Sequence, residues 1–372
     1  MKYLKIVTII GARPQFIKAA AVSRAIISFN KQSSAISIEE KIIHTGQHYD
    51  KNMSKIFFDE LKIPHPLINL EVGSGLHGQQ TGQMLERIEQ VLMQEQPDWV
   101  LIYGDTNSTL AGTLAAAKLH IPVAHVEAGL RSFNRVMPEE INRIVADCFS
   151  TLLFCPTEIA VANLSAEGIV NGVHQVGDVM YDSVLYNAGL AEKSSTILQR
   201  LSLNPKSYYL ATVHRAENTD NTEPLREILS AFQKMHYPII FPMHPRTHKI
   251  LESEPDTYNA QIRPIDPVSY LDMLILEKNA RVILTDSGGV QKEAYWFNVP
   301  CITLRNETEW VELVDLGCNR LVGANTAAIL EAVNEFETIS PSHTNYHKEL
   351  YGDGHSAQKV IDVLTKSFVK NK

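Results

Sequence analysis

The sequence predicts an α/β protein built from two doubly wound, Rossmann-like domains facing a cleft. Three observations carry that expectation. Short β-branched runs alternate with longer helical patterns over the first 180 residues. The alternation breaks at a polar stretch and then restarts, and 372 residues exceed what one hydrophobic core usually organises. Strands alternating with helices form parallel sheets covered on both faces, because each parallel pair needs a crossover connection.

The elements follow in order. Lys5–Ile10 reads as the first strand and Phe16–Ser28 as an alanine-rich helix. Lys41–His44 is a strand, Thr81–Gln94 an amphipathic helix and Val100–Tyr103 a strand. Ser108–Leu119 is a small-residue helix, Pro122–His125 a strand, Glu139–Cys148 a helix behind Pro138, and Leu152–Cys155 a strand. The polar stretch Ala191–Ser207 reads as the domain connection. Beyond it, strand patterns at Tyr208–Val213, Pro238–Phe241, Val282–Leu284 and Pro300–Thr303 each precede a helical pattern. The expected division is 1–180 for the first domain, 181–352 for the second, and a C-terminal helix in 353–372 that could belong to either domain, packing back on the first being one reading.

Composition excludes several classes. With 34 basic against 42 acidic residues and no dense basic cluster, there is no nucleic-acid face. Cys148, Cys155, Cys301 and Cys318 form no CxxC pair, so neither a zinc site nor a disulfide framework is indicated. No apolar run approaches the ~20 residues that span a bilayer, and the N-terminal run is wrongly flanked for a signal peptide. A cytoplasmic protein without membrane insertion is expected.

Ligands of open α/β sheets bind beyond the carboxyl ends of the strands, and here those ends are chemically loaded. The first strand runs into Gly11-Ala12-Arg13-Pro14 and a helix carrying Lys18; others run into Gly104-Asp105-Thr106-Asn107 and Glu127-Ala128-Gly129. In the second half the ends carry His214-Arg215-Ala216-Glu217-Asn218, His244-Pro245-Arg246 and Thr285-Asp286-Ser287-Gly288-Gly289. Six such ends together point to an active site. Ser287, Gly288 and Gly289 open a helix whose backbone N–H groups can cradle a phosphate, with Glu293 placed for ribose hydroxyls. Arg13 and Lys18 are candidate phosphate cations, Lys18 reading equally as a surface lysine. Asp105, Glu127 and Glu139 are candidate acids and bases. Glu139 also reads as an i,i+4 ion pair with Arg143, and His214 either as a phosphate or proton contact or as a core histidine. No GxGxxG or GxxxxGK[ST] fingerprint occurs, which argues against nicotinamide cofactors and P-loop hydrolysis. His44 and His48 lack an acidic third ligand, so no metal is expected.

Taken together, GARPQFIK (Gly11–Lys18), HTGQHYD (His44–Asp50), GDTNSTLAG (Gly104–Gly112), HVEAGLRS (His125–Ser132), PEEINR (Pro138–Arg143), HRAEN (His214–Asn218), HPRT (His244–Thr247) and TDSGGVQKEA (Thr285–Ala294) closely resemble the non-hydrolysing UDP-N-acetylglucosamine 2-epimerases. The resemblance implies a glycosyltransferase-B-like fold, a homodimer, no required cofactor, and a UDP-sugar substrate feeding surface polysaccharide synthesis. It implies elimination of UDP to a 2-acetamidoglucal and re-addition with the C2 proton on the other face. By position, Asp105, Glu127, Glu139 and His214 match catalytic groups of that family. Arg13, Lys18, Arg143, Ser287, Gly288, Gly289 and Glu293 match its substrate contacts, and Tyr270 falls near its uracil-binding segment.

Two departures stand out. Gln15 occupies the place of a glutamate in the common GTRPE motif. In Thr308-Glu309-Trp310-Val311-Glu312, Trp310 and Val311 replace the arginine and proline of the common pattern. The Thr-Glu-Trp variant resembles enzymes acting on UDP-2,3-diacetamido-2,3-dideoxy-glucuronic acid, which makes that sugar the substrate alternative. The rival activities are a glycosyltransferase with a UDP-sugar donor, a hydrolysing epimerase that releases UDP, and a UDP-sugar sensor without turnover.

Overall fold

The protein is described here as a computed structural model covering residues 2–32, 35–47, 64–243, 247–248, 261–338 and 350–371, with only the backbone of Arg13 and Asn371. His48, His244, Pro245 and Arg246 lie outside the described residues. The chain divides into two compact units, Met1–Leu185 with Lys348–Lys372, and Tyr186–His347.

The first unit holds β1 (Lys2–Ile10), β2 (Ile36–His44), β3 (Ile68–Asn69), β4 (Trp99–Tyr103), β5 (Val123–Val126), β6 (Leu152–Cys155) and β7 (Val173–Gln175). They form one parallel sheet in the order β3-β2-β1-β4-β5-β6-β7. All five residues of β4 are buried, as expected of a strand covered on both faces. Val7, Ile9, Val100 and Ile102 pack on Met84, Ile88 and Leu92 of the helix His77–Glu95 and on Ala111 and Ala115 of the helix Asn107–Lys118. Thr106 caps that second helix by accepting from the Thr109 amide, so its start is fixed just past Asp105. Strand order reverses between β1 and β4. That switch point is where a ligand site is expected, and Gly11 and Gly104 lie at it.

The second unit holds β8 (Tyr209–Thr212), β9 (Ile239–Pro242), β10 (Ile262–Ile265), β11 (Ile283–Thr285), β12 (Cys301–Thr303) and β13 (Asn319–Leu321), parallel in the order β10-β9-β8-β11-β12-β13. Its switch point falls between β8 and β11, whose ends carry His214 and Asp286. Alternate residues leading into and along β8 face two cores, Tyr209 and Ala211 one and Tyr208 and Leu210 the other.

The stretch Ala191–Ser207 is not the linker its polarity suggests. The helix Val179–Ser194 runs across the division between the units, Ile197–Arg200 forms a further helical turn, and Ala191, Ile197 and Leu203 are buried in a core with Leu210 and Leu276. Three apolar side chains spaced through a polar segment are enough to fold it onto the second unit. The C-terminal helix Ser356–Asn371 packs on the helix Arg13–Gln32 of the first unit. Asp182 anchors its start by accepting from the amides of Ser356 (3.1 Å) and Ala357 (2.8 Å). Among the described residues no helix is long and apolar enough to cross a membrane.

Candidate active site

In the first unit the loaded strand ends form a connected polar cluster. Lys18 is buried, and its Nζ donates to Glu127 Oε1 at 2.5 Å; both side chains are 8% exposed. A lysine sited in this way is committed to a carboxylate and is not the surface residue of the alternative reading. Glu127 has φ +72°, a left-handed conformation that costs a residue with a side chain roughly 1–3 kcal/mol. The conformation is held because the Glu127 and Ala128 amides both donate to Phe154 O at 3.1 Å. Gly104, with φ +61°, passes beside the pair: a Cβ there would stand 3.3 Å from Glu127 Oε1 and 3.4 Å from Lys18 Nζ.

Asp105, the next residue, is 28% exposed and accepts from Arg143 Nη2 at 2.5 Å. Arg143 also donates to Glu140 Oε2 at 2.9 Å. The ion pair expected between Glu139 and Arg143 is therefore replaced by one with Glu140, three residues back, because Glu140 turns inward while Glu139 stays half-buried. Glu140 also accepts from the Ser132 and Phe133 amides and the Ser132 hydroxyl at 2.9–3.0 Å. Burial opposes its charge, yet the Ser132 and Phe133 amides and the Arg143 guanidinium hold its carboxyl below the ordinary range. Asn142 closes the cluster by donating to Asp105 O and Asn107 Oδ1. Gln15 stitches the β1 and β4 ends together. Its oxygen accepts from the Gly11 and Ala12 amides, and its amide nitrogen donates to Tyr103 O (2.8 Å) and Thr109 Oγ1 (3.0 Å). Arg13 opens the helix Arg13–Gln32, and its side chain lies outside the described residues.

In the second unit the organiser is Asp286, fully buried at the end of β11. It accepts from the His214 amide (2.9 Å), the Arg215 amide (2.9 Å) and Asn218 Nδ2 (3.0 Å), which fixes the loop after β8. His214 Nδ1 lies 3.3 Å from Asp286 Oδ1, and the ring is 39% exposed, so it is not a core histidine. Ser287 is the N-cap of the helix Gly288–Trp296 and makes no side-chain capping bond. Ser287, Gly288 and Gly289 are half-buried. First-turn N–H groups without a side-chain cap beside flexible glycines form a ready anion cradle. Glu293 is buried one turn on and accepts from the Tyr270 hydroxyl at 2.9 Å. Tyr270 is itself 2% exposed, so in this geometry it orients Glu293.

Trp310 now has a physical account. It is buried, and the Lys292 ammonium sits over its ring at 4.0 Å, with the Trp296 ring at 5.7 Å. A buried ammonium is stabilised by an aromatic face, whereas an arginine at 310 would set a second cation against it. The same loop closes on the cradle, since a Cβ at Gly288 would meet Glu309 Oε1 at 2.4 Å and Trp310 Nε1 at 3.4 Å. Glu309 in turn accepts from the buried Arg305 at 3.0 Å.

Reading from sequence missed Glu140, Gln15 and Asp286 as organisers. Asp286 was visible as an acid at a strand end. Glu140 carried no mark separating it from Glu139. Among the described residues no group of three or more His, Cys, Asp or Glu side chains is placed to hold a metal ion.

Comparison with known proteins adds an independent line. The sequence profile of the family described as UDP-N-acetylglucosamine 2-epimerase matches residues 30–365. A UDP-N-acetylglucosamine 2-epimerase homolog from Methanococcus maripaludis is 56% identical over 97% of this chain and 99% of its own. A UDP-2,3-diacetamido-2,3-dideoxy-D-glucuronate 2-epimerase from Pseudomonas aeruginosa is 48% identical over 98% and 100%. The crystal structure of the Methanocaldococcus jannaschii UDP-GlcNAc 2-epimerase, in complex with UDP-GlcNAc and UDP, superposes with a TM-score of 0.88 at 46% identity, covering 98% of this chain and 100% of that one.

Proposed function

Given that the chain belongs to the UDP-N-acetylglucosamine 2-epimerase family, we propose that it inverts C2 of a UDP-linked 2-acetamido sugar, and we assign the chemistry to the residues above. It is an isomerase acting on a UDP-sugar. The observation that carries the residue assignment is that the first unit gathers Asp105 and Glu127 on adjacent strand-end turns, each carboxylate aligned by a buried cation.

In the proposed reaction one of these carboxylates takes the C2 proton while the C1–O bond breaks, giving UDP and a 2-acetamidoglucal. UDP oxygen then adds back at C1 as a proton reaches C2 from the other face, so atoms and charge balance without a redox partner. The C2–H has no neighbouring carbonyl to acidify it, so loss of the diphosphate must lead and its charge must be met as it develops. The Ser287–Gly289 helix start is assigned to the diphosphate, with His214 and Arg13, and Glu293 to the ribose. Arg143 orients Asp105, and Glu139 remains a proton-transfer candidate. The hydroxyl of the buried Tyr270 serves Glu293. We further infer a cytoplasmic homodimer that needs no cofactor and supplies surface polysaccharide synthesis. Exposed Ile141 and Phe149 on the helix Pro138–Phe149 support a covered face.

Two sugars remain in play. UDP-N-acetylglucosamine follows from the family. The diacetamido glucuronate is favoured by Trp310 and by the activity named for the Pseudomonas relative. Each UDP-sugar is incubated with the protein in deuterated water without acceptor, and C2 is followed by NMR. Deuterium at C2 with inverted configuration and no stoichiometric free UDP supports the reading. Stoichiometric UDP release indicates a hydrolase, and an unlabelled, uninverted sugar with both substrates overturns the proposal.

A further inference from the structure

One buried charged network is not used by the chemistry above, yet it touches both turns that carry the candidate acids. His125 lies on β5, two residues before Glu127, and is fully buried. Its Nε2 reaches the carbonyl oxygen of Gly104 at 2.8 Å, and its Nδ1 reaches Asp147 Oδ1 at 2.7 Å. The other Asp147 oxygen accepts from the Gly129 amide at 3.1 Å and from Arg131 Nη1 at 2.7 Å. Arg131 closes the chain with a two-pronged pair to Glu167, both contacts at 2.7 Å. Gly104 immediately precedes Asp105, and Gly129 ends the turn begun by Glu127.

We propose that His125 is a positioning residue for epimerisation: through Gly104 and, by way of Asp147, through Gly129, it locks the Asp105 and Glu127 turns into one frame. The two ring nitrogens meet a carbonyl and a carboxylate oxygen, contacts that only a polar nitrogen can make. No aliphatic side chain of that volume can serve either contact, and two buried acceptors would lose their donor. Gly104 depends on this frame. Its amide donates to Val126 O at 3.0 Å while His125 holds its carbonyl, so both ends of the residue are tied to β5 and its turn geometry is set from there. Releasing one end lets the Asp105 turn drift relative to Glu127, and a shift of about 1 Å in such a pair can cost on the order of 100-fold in rate. The charged network fits this role, because burial opposes ionisation of Asp147 while His125 and Arg131 keep it below the ordinary carboxylate range.

The inference rests on the epimerase reading, and the test separates the two. C2 deuterium incorporation, kcat, KM and the Kd for UDP are measured for the wild type, His125→Gln, His125→Leu and Asp147→Asn, well below each melting temperature. The expected result for His125→Leu is a fall in kcat of about 100-fold with the UDP Kd within about threefold, since the UDP contacts other than Arg13 are assigned to the second unit and Arg13 is not one of the network residues named above. His125→Gln, which can still donate to Gly104 O, should recover about tenfold of that loss. If His125→Leu does not fold, Asp147→Asn is read in its place, with the same direction. Wild-type kcat in whichever of these folds overturns the proposal, and so does an equal loss in kcat and UDP affinity. A wild type that labels no UDP-sugar sinks the epimerase reading itself.

Discussion

Replacing Lys18 with methionine isolates the electrostatics of the first half-site. The substitution keeps the length and apolar stem of the side chain and removes the ammonium that sits 2.5 Å from Glu127 Oε1 in a pair only 8% exposed. Two unit charges at that distance attract by about 7 kcal/mol at an effective dielectric of about 20, a gross figure that desolvation of both ends largely offsets. Breaking such a pair from one side strands a buried charge and typically costs about 3–5 kcal/mol. Glu127→Gln should cost a similar amount by stranding the ammonium. The double substitution should be milder than the two losses added, leaving a coupling of about 3 kcal/mol. Because the protein has two units, one melting curve does not report the right free energy. The assay is hydrogen exchange at the amides of β4 and β5 in a urea series, which reads opening of the first unit alone. A coupling under about 0.5 kcal/mol would refute the claim that this contact is a working ion pair.

Asp105→Asn and Glu127→Gln should each reduce C2 deuterium incorporation by more than about 1,000-fold while UDP affinity, by calorimetry, stays within about tenfold, since each is assigned to move a proton rather than hold phosphate. Asp147 and Glu140 both have depressed carboxyl pKa values in the folded chain. Their stabilisation is therefore complete above the unfolded-state value of about 4 and is lost as pH falls through the lower folded values, so the melting temperature should drop steeply below about pH 4. Asp147→Asn combined with Glu140→Gln should flatten that acid limb, and an unchanged limb would remove these two groups as its cause. Trp310→Phe keeps an aromatic face under Lys292 and should cost no more than about 1 kcal/mol, whereas Trp310→Arg should cost about 2 kcal/mol or more and weaken UDP binding. Equal protection of the β11 and β12 amides in the two variants, by hydrogen exchange in a urea series, would contradict the cation–π account.

How far the sequence could be read depended on where apolar patterning carried the signal. Continuous runs such as Val100–Tyr103 and Leu152–Cys155 identified buried strands, and the motifs after Val100–Tyr103 and Pro122–His125 brought Asp105 to the switch point of the first sheet and Glu127 to the neighbouring strand end. Short edge strands were invisible: Val173–Gln175 and Asn319–Leu321 are three residues each and mix polar with apolar positions, so neither periodicity nor a hydrophobic run marks them. Side-chain direction within a motif was equally hidden. Gln15 looked like a departure at the active site, yet its amide uses both ends on the scaffold, and its oxygen and nitrogen cannot be exchanged without facing Tyr103 O with another acceptor. Lys18 was legible as a cation, but its partner lies 109 residues away.

The helix Pro138–Phe149 shows why the remainder escaped. Its buried positions include Glu140, Arg143 and Asp147, while Ile141 and Phe149 are exposed. Those three charged residues are spaced i, i+3 and i+7, one stripe of a 3.6-residue helix, and the stripe faces inward. Hydrophobic patterning assigns it to solvent and so pairs Glu139 with Arg143 on an outer face. The helix instead behaves as a polar bracket: Glu140 holds the Ser132–Phe133 amides, Arg143 holds Asp105, and Asp147 holds Gly129 and His125. An apolar stripe tolerates sliding, because dispersion contacts are nearly non-directional. A stripe of charged hydrogen bonds does not, since each contact left unmade exposes a buried charge to the full cost of desolvation. A site that must hold two proton-handling carboxylates in fixed register gains more from the second kind of face, and the register of the whole bracket is what any single substitution along it would disturb.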